Sequence, residues 1–116
     1  MLQRMSVLQM LLLTQKVLAE VIGTFTMIFV GAGSILLAER FPQTFPVFII
    51  PFAWGLTIVM MIFAVGHVSG AHFNPAVTLS FVVAKRIPAS AVFVYWPSQF
   101  MGGLLAILFS GMLKKL

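Results

Sequence analysis

The run Gly66-His-Val-Ser-Gly-Ala-His-Phe-Asn-Pro, residues 66–75, decides how this chain folds. It holds two glycines, two histidines and an asparagine, and no charged residue follows until Lys85. Such a run is too polar for a helix facing lipid and too apolar for a loop in water. Irregular backbone at membrane depth persists only where protein or a water-filled cavity satisfies its amide groups, because lipid cannot. The run therefore reads as a re-entrant loop. Directly after it, Pro75–Ala84 has the start of a helix: Asn74 is a preferred N-cap, and Pro75 at the first helical position loses no hydrogen bond. Lys85, Arg86 and Pro88 stop it. Ten residues rising 1.5 Å each give about 15 Å, half of a hydrocarbon layer of about 30 Å. Loop and half-helix, residues 66–85, are expected to dip to the midplane and return to the side they left.

The rest of the chain supplies the membrane crossings. Of 116 residues, 61% are hydrophobic and 8% charged, and mean hydropathy is +1.13. A soluble domain carries about a quarter of charged residues, so water is not the main solvent. Eighteen uncharged residues, Val21 to Ala38, lie between Glu20 and Glu39 and form a first crossing over about 17–38. A loop with Pro42 and Pro46 leads to a second crossing over about 47–65, with Pro51 in its first turns, where a missing donor costs least. A third crossing, about 89–113, opens on the aromatic residues Phe93, Tyr95 and Trp96, read as interfacial anchors, and closes at Lys114 and Lys115. Residues 1–15, with the apolar run Val7–Leu13, read as an N-terminal interfacial segment or an early helical turn. The expectation is an all-α membrane protein with three transmembrane helices plus one re-entrant half-helix, in a single unit over 16–116.

Composition also excludes functions. The net charge of +5 comes from Arg4, Lys16, Arg40, Lys85, Arg86, Lys114 and Lys115 set against two glutamates. The basic residues flank hydrophobic runs and form no patch for nucleic acid. With no cysteine there is no disulfide or thiolate chemistry, and Glu20 and Glu39 alone cannot staff a carboxylate pair. His67 and His72 are too isolated for a metal site and are expected to satisfy hydrogen bonds of the loop. An enzyme, a cofactor and a bound metal are not expected.

Ser69-Gly-Ala-His-Phe-Asn-Pro-Ala-Val-Thr78 resembles the first asparagine-proline-alanine signature of the aquaporin and glycerol-facilitator channels, the major intrinsic protein family. The resemblance extends upstream through Glu20-Val-Ile-Gly-Thr-Phe and Trp54-Gly-Leu and downstream to Gln99. Trp54-Gly-Leu and Gly66-His-Val-Ser-Gly look most like the plant nodulin-26-like branch and its bacterial relatives. It implies a passive channel for water or small neutral solutes such as glycerol. Asn74, Pro75 and Ala76 would form the pore motif, and the carbonyls of Gly70, Ala71 and His72 an acceptor ladder. Trp54 would take the second-helix selectivity position and Glu20 would hold the re-entrant loop.

Residue chemistry runs alongside. A half-helix starting at Asn74 aims its free amides and positive dipole end at the midplane, which repels cations and protons. The Asn74 carboxamide can cap with its oxygen and donate to a permeant from its nitrogen. Trp54 and Ile58 share one helical face with Met61 and Val65, a greasy pore wall or else core packing. Gly102, Ala106 and Ser110 recur every four residues and suit close helix packing.

Family members contain two such units, inverted in the membrane plane. The sequence here reads as one, so a working conduit is expected to need a second, inverted unit. With a cytoplasmic N-terminus four basic residues lie inside and three outside, a weak bias that suits dual topology. The expected partners are the lipid bilayer, small neutral permeants and an antiparallel second copy, or a complementary half in a heterodimer; higher oligomers also fit. The family's second repeat carries arginine where Val77 stands, so a homodimer would have no arginine filter. A non-conducting truncated channel fragment or assembly partner, and a small dual-topology proton-coupled exporter using Glu20, are the alternatives. The expected location is the cell membrane, inner or plasma.

Overall fold

The computed structural model describes residues 5–115. The first four residues of the expected interfacial segment, Arg4 among them, lie outside that range. Four α-helices are described: α1 Val7–Arg40, α2 Ile49–Ser69, α3 Pro75–Val83 and α4 Val92–Leu113, the last entered through a 3-10 turn at Ala89–Ala91. Three segments, α1, α2 and the turn with α4, are long and apolar enough to cross a membrane. The chain is an integral, multi-pass membrane protein.

Helix α1 is longer than the reading from charges. It begins at Val7 where about residue 17 was expected, so residues 7–15 are early turns of the same helix, the second of the two readings of that segment. Local chemistry explains this. The Ser6 hydroxyl accepts from the Gln9 amide at 3.2 Å and the Gln9 side chain accepts from the Ser6 amide at 2.9 Å, a reciprocal capping box. No glycine or proline then interrupts the helix before Gly23.

Helix α2 also runs past its expected end, taking in Gly66–Ser69 and shortening the irregular loop to residues 70–74. Gly66 is tolerated inside the helix. Gly70 ends it in the left-handed conformation, φ 88°, with its amide on the Gly66 carbonyl at 2.9 Å.

Packing centres on α1, which lies against both α2 and α4, while α3 lies against α4. The contacts are close because the facing residues are small. A Cβ on Gly102 would stand 2.5 Å from the backbone oxygen of Val21 and 3.0 Å from the amide nitrogen of Phe25. Ala106 is fully buried and Ser110 buried on the same stripe of α4. Gly31 of α1 accommodates the Trp54 indole, and Gly23 the ring of Phe73.

The interior is mostly polar and the outside apolar, the reverse of a water-soluble fold. Glu20, Thr24, Thr57, His72, Thr78 and Gln99 are buried, whereas Phe63, Phe93 and Val83 project almost wholly outward. Lipid explains the inversion: apolar side chains lose nothing by facing acyl chains, and polar groups must find partners inside.

Candidate functional site: the re-entrant loop and its cradle

Residues 70–74 need positive φ at Gly70 (88°), Ala71 (51°) and Phe73 (51°). Left-handed backbone costs about 1–2 kcal/mol at a non-glycine residue, so something must hold it there. That support is Glu20. One carboxylate oxygen accepts from the His72 amide at 3.0 Å and the Ser69 hydroxyl at 2.7 Å. The other accepts from the Phe73 amide at 2.8 Å and the Gln99 side-chain nitrogen at 2.9 Å. Four donors on two oxygens suit the acceptor-only inventory of a carboxylate. Glu20 is 1% exposed, so the whole arrangement is desolvated.

A second layer locks the half-helix to the same point. Gln99 also donates to the Thr78 hydroxyl at 2.9 Å, and Thr78 lies 3.0 Å from His72 Nδ1. The His72 ring stacks between Phe81 and Tyr95, with centroids 4.7 and 4.5 Å away. Tyr95 donates its hydroxyl to the Ser69 carbonyl, and Trp96 donates its indole N–H to the Pro75 carbonyl at 3.2 Å. Phe73 turns its ring onto Gly23. Residues from α1, α2, α3 and α4 thus meet at one short loop.

The tip faces the other way. Asn74, in extended conformation, accepts the Ala76 amide on its side-chain oxygen at 2.8 Å and caps α3; it is exposed. Ala76 is exposed too, with Pro75 and Val77 half-buried beside it. Among the described residues no donor is recorded on the carbonyls of Gly70, Ala71 or His72. The loop keeps acceptors available, and the amide nitrogen of the Asn74 side chain is a donor next to them.

Trp54 and Ile58 are half-buried on α2, and Trp54 rests on Gly31 of α1, which gives the indole a packing contact. His67 differs from expectation. It is exposed on the last turn of α2 and no hydrogen bond of it is recorded among the described residues, because its helical position turns it away from the loop that Glu20 and His72 hold. Tyr95 differs as well: read as an interfacial anchor, it is buried against His72. Thr78 and Gln99 are cradle residues that spacing did not single out. A polar side chain in the apolar surroundings of each was the available signal.

Residues 7–115 match the profile of the family described as Major intrinsic protein. The chain is 46% identical over 94 residues to Aquaporin NIP3-1 of Arabidopsis thaliana, covering 79% of this chain and 28% of that protein. To Aquaporin Z of Photorhabdus laumondii subsp. laumondii it is 46% identical over 93 residues, covering 79% and 40%. To Nodulin-26 of Glycine max it is 41% identical over 104 residues, covering 88% and 36%. The chain therefore spans well under half the length of these relatives.

Proposed function

The chain belongs to the major intrinsic protein family, and on that premise we propose that it forms a passive channel for water and small neutral solutes such as glycerol by pairing with a second, inverted half. The observation that carries this reading is the exposed, capped Asn74 beside carbonyls that accept no recorded hydrogen bond. A permeating hydroxyl could accept from Asn74 and donate to those carbonyls in turn. The positive end of α3 opposes cations at the same point.

An antiparallel copy of this chain would supply that second half, and one surface groove suits it. A groove of about 820 Å³ lies between the end of α1, the start of α2 and the end of α4, lined by Phe29, Leu36, Phe45, Ile49, Ala53 and Leu113 among others. It opens at the ends of the helices remote from α3. In the proposed pair, the inverted copy would lay its apolar half-helix in that groove and turn its Asn74 toward this one. A complementary half from another chain would use the same surfaces.

Against a proton-coupled exporter stands the state of Glu20, whose two oxygens already accept from four donors. The test is stopped-flow swelling of proteoliposomes holding the purified chain. Water and glycerol fluxes above the lipid background, unchanged by a protonophore, support the channel. Fluxes at background in vesicles that contain folded protein contradict it, and a requirement for a proton gradient favours the exporter.

A further inference from the structure

A cleft of about 430 Å³ opens beside the cradle, at the end of the molecule where α2 and α3 finish. Its cations are Lys16, from α1, and Arg86, from the turn after α3, both exposed. They are far apart in sequence, and the re-entrant return of α3 brings them to one mouth. Val68, Phe81 and Ile87 make an apolar wall; Ser69, Gly70 and His72 of the cradle also line the cleft, as does Tyr95, whose hydroxyl is already engaged by the Ser69 carbonyl.

No carboxylate among the described residues answers these cations. Glu20, one turn beyond Lys16, turns its oxygens to the loop and receives four donors there. Glu39 stands at the other end of α1. The carbonyl ends of α2 and α3 contribute about half a negative charge each, which leaves two cations against roughly one. The cleft is thus electropositive, placed at a membrane face, and joined to lipid-facing side chains: Leu13, one turn before Lys16, is 36% exposed, and Val83, on the last turn of α3, 74%.

We infer that this cleft binds the phosphate of an anionic phospholipid, with Arg86 and Lys16 on the phosphate and the acyl chains along the adjoining apolar surface. Arginine presents a planar fork that matches two phosphate oxygens, and lysine adds a point charge. Basic clefts between membrane helices at the headgroup level take anionic headgroups for these reasons. An inorganic phosphate shares the headgroup chemistry but gains nothing from the apolar wall, and this separates the two sources.

The full chain in nanodiscs of phosphatidylcholine containing a minority of phosphatidylglycerol provides the test, read by native mass spectrometry of retained lipid. Phosphatidylglycerol is expected to be retained in preference to phosphatidylcholine. K16Q and R86Q should each lower that preference about fivefold and the double variant roughly 30-fold. K114Q with K115Q, at the far end of α4, should leave it unchanged, and millimolar inorganic phosphate should not displace the lipid. Circular dichroism in phosphatidylcholine alone checks that the double variant stays folded. The inference is overturned if the preference is absent, if it survives in a folded double variant, if the distal pair matters equally, or if inorganic phosphate displaces the lipid.

Discussion

The carboxylate of Glu20 and the carboxamide of Asn74 serve the same short loop from opposite sides, and the fold treats them oppositely. Glu20 is fully buried and accepts four hydrogen bonds from three parts of the chain. Asn74 is exposed, and its recorded side-chain bond is to the amide of Ala76. All the costly positive-φ backbone of the loop lies between them. The lesson is a division of labour: one polar group is committed to holding the loop, so that the other can stay open toward whatever completes the site.

The sharpest way to break that contrast is Glu20→Gln. The new amide nitrogen would face donors, leaving one buried backbone N–H, that of His72 or of Phe73, unpaired, at a cost above about 3 kcal/mol. Thermal unfolding in detergent, followed by circular dichroism, should show a large loss of stability or no folded protein; a wild-type transition would remove Glu20 as the support. Next in size is Gly102→Val. Its Cβ would stand 2.5 Å from the Val21 carbonyl oxygen, so α1 and α4 must separate. The same assay should register about 2–3 kcal/mol, whereas Gly33→Ala, with open space around the glycine, should give little. Thr78→Val removes the hydroxyl shared by Gln99 and His72 and is expected to cost about 1–2 kcal/mol in a denaturant titration.

The open side predicts the reverse pattern. Asn74→Ala loses a helix cap worth about 1 kcal/mol, and Asn74→Asp, which can still cap, should lose less. Solute flux in vesicles should nevertheless fall strongly with alanine, and aspartate should admit cations by placing a negative charge where the helix end opposes them. Substitutions at Asn74 that cost as much stability as those at Glu20 would erase the contrast between the two sides.

Much of this layout is legible in the order of residues because charges and helix signals fall at physical boundaries. Val21 to Ala38 had to be a crossing, and Asn74-Pro75 had to start a helix too short to be another. Helix lengths were less legible. The capping box at Ser6 and Gln9 starts α1 well before the point the charges suggested, and α2 continues to Gly70 because that is the first residue at which the backbone turns left-handed. The cradle was half legible. Glu20 stood out as a charge beside an apolar run, but Thr78 and Gln99 become partners only through folding; Gln99 meets Glu20 across 79 positions. Tyr95 carries the same signal as an interfacial aromatic, and only its neighbour His72 distinguishes the two environments.

The central claim is that Asn74 stays open because an inverted second copy meets it cap to cap. The chain contains no cysteine, so a single introduced thiol reports alone. In reconstituted membranes, mild oxidation of Asn74→Cys should give a disulfide-linked dimer on a non-reducing gel, while Val83→Cys, exposed at the far end of α3, should remain monomeric. Absence of the Asn74 cross-link in folded protein, or equal cross-linking through position 83, would contradict the pairing.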